Sequence, residues 1–118
     1  MSAYVTKDSG ERAQYDSGMV RDIQEGKPRF DLILAADLPY EEQMLTRLAQ
    51  LLQRGAVKYG ERNWEKARGG EELARAKASA MRHLIQWMCG ERDEDHAAAV
   101  VFNLMLGEFV NYQMGEAQ

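Results

Sequence analysis

An all-α fold, a helical hairpin preceded by one further helix and an irregular N-terminal arm, follows from three features of the sequence. Leu45, Leu48, Leu52 and Ala56 recur at the spacing of one helix face, as do Leu73, Ala76, Ala80, Leu84 and Trp87. The run AAAVVFNLML, residues 97 to 106, is apolar at every position except Asn103. Between these last two segments lies only a short polar bend around residue 91, which forces the two helices to run antiparallel.

The arm covers residues 1–36, where charged residues, Gly and a Pro show neither helical nor alternating periodicity. Within it GKPRFDLI reads as the ordered part: Pro28 holds Lys27 extended, and Phe30, Leu32 and Ile33 offer a hydrophobic anchor. The helical domain covers residues 37–113 and a tail covers 114–118. Its first helix is expected from about Leu38 to Lys58, with Asp37 as N-cap, Pro39 in the first turn, and Glu41 and Glu42 at the positive end of the dipole. Gly60 and the run GERNWEKARGG end it in a connection longer than helical bundles normally use. The second helix spans about Glu71 to Met88 with Gly90 after it; the third runs from about Glu94 to Tyr112 behind an Asp93 cap. A helix that is hydrophobic all round has to be buried all round, and two partner helices cannot surround the third one. A homo-oligomer, a dimer or tetramer with a four-helix-like core, is therefore expected.

Composition limits what such a domain does. With 118 residues there is one domain, and a chain of this size buries about two thirds of the surface it exposes when unfolded. Fifteen Lys and Arg against nineteen Asp and Glu give a net charge of -4, which argues against a nucleic-acid partner. No apolar run has the length of a membrane span, and the first residues are too polar for a signal peptide, so a cytoplasmic protein is expected. The single cysteine, Cys89, excludes an internal disulfide and an all-Cys zinc site.

Two clusters carry chemistry. Glu91, Asp93, Glu94 and Asp95 crowd the bend, flanked by the only two histidines, His83 and His96. Carboxylates this close repel one another, and either water or a hard cation such as magnesium relieves the repulsion. Such acids also favour a solvated helix start, and both readings stand on the sequence. With the hairpin centred near residue 91, Trp87 is placed beside His96, and His83 beside Val100 and Asn103, so that an imidazole and an amide face each other between helices. The second cluster is RGAVKYGERNW: Lys58, Arg62 and Arg54 bring positive charge, while Tyr59, Asn63 and Trp64 bring hydrogen bonds and flat surfaces for a base. Lys27 and Arg29 add to the cations. Positive groups beside a carboxylate cluster suit a polyphosphate. No Walker A loop, G-x-G-x-x-G or Ser triad motif is present.

KDSGER, RDIQEGKPRFDLI, RGAVKYGERNW and KASAMRHLIQWMCGERDEDHAAAVVFN, in this order from Lys7 to Asn103, resemble the phage dATP/dGTP diphosphohydrolases, N-terminal domain family. These are relatives of the all-α MazG-like nucleoside triphosphate pyrophosphohydrolases. The resemblance implies a MazG-like bundle that binds magnesium or manganese and cleaves purine deoxynucleoside triphosphates between the α and β phosphates, in the cytoplasm of the host bacterium. It implies Glu91, Glu94 and Asp95 as metal ligands, Glu91, Asp95 and His83 as catalytic groups, and His96 and Asn103 as further ligand-binding or orienting groups. Lys27, Arg29, Lys58 and Arg62 would hold phosphates, and Tyr59, Asn63 and Trp64 the nucleoside. MazG-like enzymes set an E-E-x-x-E motif on one helix opposite E-x-x-D. Here Glu71 and Glu72 are followed by Arg75, roughly 25 Å by helical rise from the bend. Metal ligation is then rearranged, drawn from Glu41 and Glu42, or lost; in the last case the chain is a silent helical module that binds a nucleotide or a host protein.

Overall fold

A computed structural model describes residues 4–116, which fall into two compact units, one ending at Asp31 and one beginning at Leu32. The first three residues of the expected arm and the last two of the expected tail lie outside the described residues.

In the first unit, two three-residue strands, β1 (Arg12–Gln14) and β2 (Val20–Asp22), pair antiparallel with Arg12 opposite Asp22. Tyr15–Met19 closes the hairpin through the Tyr15 N–H to Met19 O and Gly18 N–H to Tyr15 O bonds, both 2.9 Å, with Gly18 at φ +91. Such short strands, none of them buried, leave no alternating apolar pattern to read, which is why the sequence predicts only an irregular arm here. Order comes from charge instead. The Asp22 carboxylate accepts from the Ser9 N–H and hydroxyl, from Arg12 and from Lys27, and Asp8 holds the Arg12 guanidinium with two bonds of 2.7 and 2.8 Å. The expected anchor stays outside: Phe30, Leu32 and Ile33 form a 3-10 turn and remain 75 %, 69 % and 55 % exposed.

The second unit holds the helices α1 (Met44–Tyr59), α2 (Gly70–Met88) and α3 (His96–Glu116). Helix α1 begins six residues later than Leu38. Asp37 is left-handed at φ 64 and caps nothing, while Tyr40–Glu42 forms a separate 3-10 turn. The cause is Gln43, whose buried amide accepts from the Ala35 N–H and donates to the Ala35 and Leu38 carbonyls at 2.8–2.9 Å, fixing the preceding loop outside the helix. Helix α1 ends where Gly60, at φ 92, donates to Ala56 O. In the connection that follows, Trp64 packs edge-on against Phe102 and Phe109 of α3, centroids 6.3 and 5.3 Å away.

Helix α2 starts on Glu72, whose carboxylate accepts from the Arg68 and Gly69 N–H groups at 2.8 and 2.9 Å. Its buried row passes through Leu73, Ala76, Ala80 and His83, rotated away from the expected Leu84 and Trp87, which are 41 % and 56 % exposed. The seam between α2 and α3 is made of small residues, with Ala76, Ala98, Ala99 and Gly107 all buried, so the two helices approach closely; a Cβ on Gly107 would meet Leu73 Cδ1 at 3.6 Å. Helix α3 packs mainly on α2 and over a smaller area on α1. Two neighbours do not enclose it. Ala98 and Val110 are fully covered, yet Val101 and Leu104 are 39 % and 59 % exposed.

Candidate functional site

The bend between α2 and α3 is shaped by local rules. Gly90, at φ 81, donates to Trp87 O and Glu91 N–H donates to Gln86 O, both at 3.0 Å, the paired bonds with which a left-handed glycine closes a helix. Three acids in a row precede α3, and the cap is Asp95, where the sequence pointed to Asp93. Asp95 Oδ1 accepts from Ala98 N–H at 3.1 Å, two residues further along than an Asp93 cap would require. The same carboxylate takes two bonds from the Arg47 guanidinium of α1, 2.7 and 2.8 Å long, at side-chain exposures of 29 % and 21 %. The Arg47 bonds and the Ala98 N–H hold its pKa below the usual carboxylate value.

Asp93 serves the histidines. His96 Nε2 lies 2.8 Å from Asp93 Oδ1, His96 Nδ1 lies 2.8 Å from His83 Nδ1, and an Arg82 nitrogen lies 3.3 Å from His83 Nε2. One assignment satisfies every contact. Arginine only donates, so His83 Nε2 accepts; His83 Nδ1–H then donates to His96 Nδ1, and His96 Nε2–H donates to Asp93. The hydrogen bonds then run one way, from Arg82 to Asp93. Both imidazoles are buried, His96 at 2 % exposure, and burial together with the Arg82 charge holds the His83 pKa below its ordinary value of 6.5. His83 thus faces His96, one turn nearer the bend than Val100 and two turns nearer than Asn103, while Trp87 is turned outward. The Asn103 amide donates to Ala99 O of its own helix at 2.8 Å.

A cavity of about 650 Å³ opens beside this bend, lined by Arg54, Lys58 and Leu51 of α1, by Arg92, Asp93, Glu94 and Asp95, and by Gly55 and Ala99. Among the described residues Arg54, Lys58 and Arg92 make no ion pair. Glu94 is exposed and Asp95 is held by Arg47. On the other flank of α1 a second cavity of about 580 Å³ is lined by Tyr59, Arg62, Asn63, Trp64 and Phe102 with Leu51, Leu52, Gly55 and Ala56. Of these, Arg62 is paired with Glu65 at 2.7 Å. Lys27 and Arg29 belong to the first unit, where Lys27 pairs with Asp22 and Arg29 with Asp31; both line a smaller cavity there with Tyr15 and Arg21.

The first cavity therefore gathers Lys58, Glu94 and Asp95, and the second gathers Tyr59, Arg62, Asn63 and Trp64. Glu91 lies on the exposed bend and lines neither, and His83, His96 and Asn103 are engaged between or within helices. Arg47 and Arg92 were not read from the sequence. The signal for Arg47 was a row on α1, Arg47, Leu51, Arg54 and Lys58, that follows helical spacing as closely as the leucines do.

Among the described residues no three His, Cys, Asp or Glu side chains are placed to hold a metal ion, so Glu91, Glu94 and Asp95 do not form a cage within one chain. Magnesium commonly takes one or two carboxylates and completes its shell with water and substrate phosphates, and the free wall carboxylate Glu94 with its neighbour Asp93 fits that lesser demand. Glu71 and Glu72 sit at the start of α2, with Glu72 committed to backbone N–H groups, and Glu41 and Glu42 are exposed in the 3-10 turn before α1. No described helix is long and apolar enough to cross a membrane.

Comparison with curated proteins and with solved structures gives no match. A family model does match, over residues 17–117, and its description is dATP/dGTP diphosphohydrolase, N-terminal. The matched span takes in α1, the aromatic connection, the histidine chain and the acidic bend, and by it the chain belongs to the dATP/dGTP diphosphohydrolase N-terminal domain family.

Proposed function

We propose that this chain hydrolyses purine deoxynucleoside triphosphates, dATP and dGTP, to the monophosphate and pyrophosphate, with magnesium or manganese bound, in the cytoplasm of a phage-infected bacterium. The observation that carries this reading is the cavity whose lining brings three unpaired cations, Arg54 and Lys58 of α1 and Arg92 of the bend, together with Asp93 and Glu94. A purely structural charge cluster would pair these groups. A triphosphate needs both signs, cations against its oxygens and a carboxylate near the ion it carries.

In this reading Arg54, Lys58 and Arg92 bind and orient the phosphates, and the aromatic and amide groups of Tyr59, Asn63 and Trp64 take the base. A water oxygen bonds to the α phosphorus as the bond to the α–β bridging oxygen breaks. Pyrophosphate leaves with that electron pair, and Glu94 accepts the proton the water gives up. Glu94, with the Asp93 oxygen that His96 leaves free, would hold magnesium, which would supply charge neutralisation at the phosphoryl oxygens. Asp95 accepts three hydrogen bonds, two from Arg47 and one from Ala98 N–H, and its part is to hold α1 against the bend. A second copy of the chain covers the apolar residues that α2 exposes at helical spacing, Met81, Leu84, Ile85 and Met88, and those that α3 exposes, Val101 and Leu104.

The test is pyrophosphate release from each of the four deoxynucleoside triphosphates with magnesium and then with chelator. Release that chelator abolishes and that Glu94→Gln lowers by about a hundredfold supports the enzyme. A second reading, a silent module that binds nucleotide without turnover, is favoured by the lack of an assembled three-carboxylate cluster. Binding in every metal with release in none would select it.

A further inference from the structure

Gly55 lies inside α1, four residues before its end, where glycine weakens a helix relative to alanine. Nothing in the fold asks for it. Its φ is ordinary, and a Cβ built there would meet no atom within 4 Å, in contrast to Gly107, which faces Leu73 in the α2–α3 seam. Gly55 instead borders both cavities. Among the described residues, Leu51 and Gly55, one turn apart, alone line both the polar cavity of Arg54, Lys58 and Glu94 and the apolar cavity of Tyr59 and Trp64. A missing side chain on the ridge between two pockets leaves bare helix backbone open to a ligand, one of the uses that a helix-weakening glycine has.

We infer that Gly55 is the crossing point at which a nucleoside triphosphate passes over α1, with phosphates on the polar side and the nucleoside on the aromatic side. This rests on the functional reading above and adds to it one continuous substrate site in which a single residue governs passage. Gly55 edges each cavity, but phosphates alone or a nucleoside alone need not cross it, so the joined molecule is the one most sensitive to a side chain there.

Gly55→Ala and Gly55→Val are compared with wild type and with Gln50→Ala, an exposed α1 position that lines neither cavity. Gly55→Ala is expected to melt roughly 3 °C higher, because alanine favours the helix. Its KM for the triphosphate that wild type accepts best should rise at least about tenfold, and further for Gly55→Val, while inhibition by pyrophosphate and by the free deoxynucleoside stays as in wild type. Equal turnover in wild type and both variants overturns the inference and leaves the functional reading intact, and so does an equal weakening of pyrophosphate and triphosphate. If wild type neither binds nor cleaves any of the four triphosphates, the functional reading falls and takes this inference with it.

Discussion

The acidic bend and the basic row of α1 face each other across one cavity, yet their charges are treated in opposite ways. On the bend Asp95 has its Arg47 partner and its helix N–H, Asp93 has His96, and both carboxylates sit below their usual pKa because of those bonds. On α1 the row continues past Arg47 to Arg54 and Lys58, which have no acid. Charges that are satisfied internally hold the fold, and those left open next to them are available to a ligand. The contrast separates residues that proximity alone would lump together.

Breaking the open side should give the largest effect. Arg54→Ala with Lys58→Ala is expected to lower kcat/KM for the triphosphate by about two orders of magnitude or more, with a melting temperature close to wild type, since exposed substitutions change stability by only about 0.5 kcal/mol. Steady-state kinetics and a thermal melt check it; loss of fold together with activity would erase the distinction.

Breaking the satisfied side should read out in stability. Asp95→Ala removes a bidentate ion pair at low exposure and a helix cap, and about 2–3 kcal/mol is expected from urea midpoints at unchanged slope. The half-exposed Arg29–Asp31 pair of the first unit, similar in length, should be worth far less, because water and salt screen it. A larger loss from Arg29→Ala than from Asp95→Ala would reverse the ranking.

Acid should act through His83. The folded pKa of His83 lies below its ordinary 6.5, so the unfolded chain takes up that proton first. The stability it contributes is full above about pH 6.5 and is lost as pH falls through the lower folded value. Wild type should lose melting temperature between about pH 7 and about pH 5, and His83→Gln should lose less; parallel curves would remove His83 from the account.

The smallest change is expected at Asn103. Its amide is satisfied by Ala99 O in the same helix, so Asn103→Ala should cost less than about 1 kcal/mol and leave turnover as it is. A large loss of turnover at full stability would show that the amide turns to the ligand.

How these groups divide was only partly legible in the sequence. The three helices and their antiparallel hairpin follow from periodicity and from the short bend, because a 3.6-residue repeat leaves little choice. The start of α1 did not, because Gln43 does by side chain what Asp37 and Pro39 looked suited to do. Neither did the cap of α3: among consecutive acids the type of residue cannot say which one bonds the backbone. The register of the histidines depends on how many residues the bend consumes, and counting equal steps from residue 91 places His83 beside Val100 and Asn103, one to two turns beyond the His96 that it faces. The cavity acids and Lys58 were in view, but Arg47 was hidden by its place among leucines, where only three-dimensional packing reveals that it reaches the start of α3.

The alanine and glycine seam sets which part of the molecule can move. With Ala76, Ala98, Ala99 and Gly107 buried where α2 and α3 pack, those two helices form an anvil with small residues at its seam. Helix α1 rests on that anvil by a smaller contact and one charged clasp. Of the three helices, α1 is thus the one whose place depends most on a single charged contact.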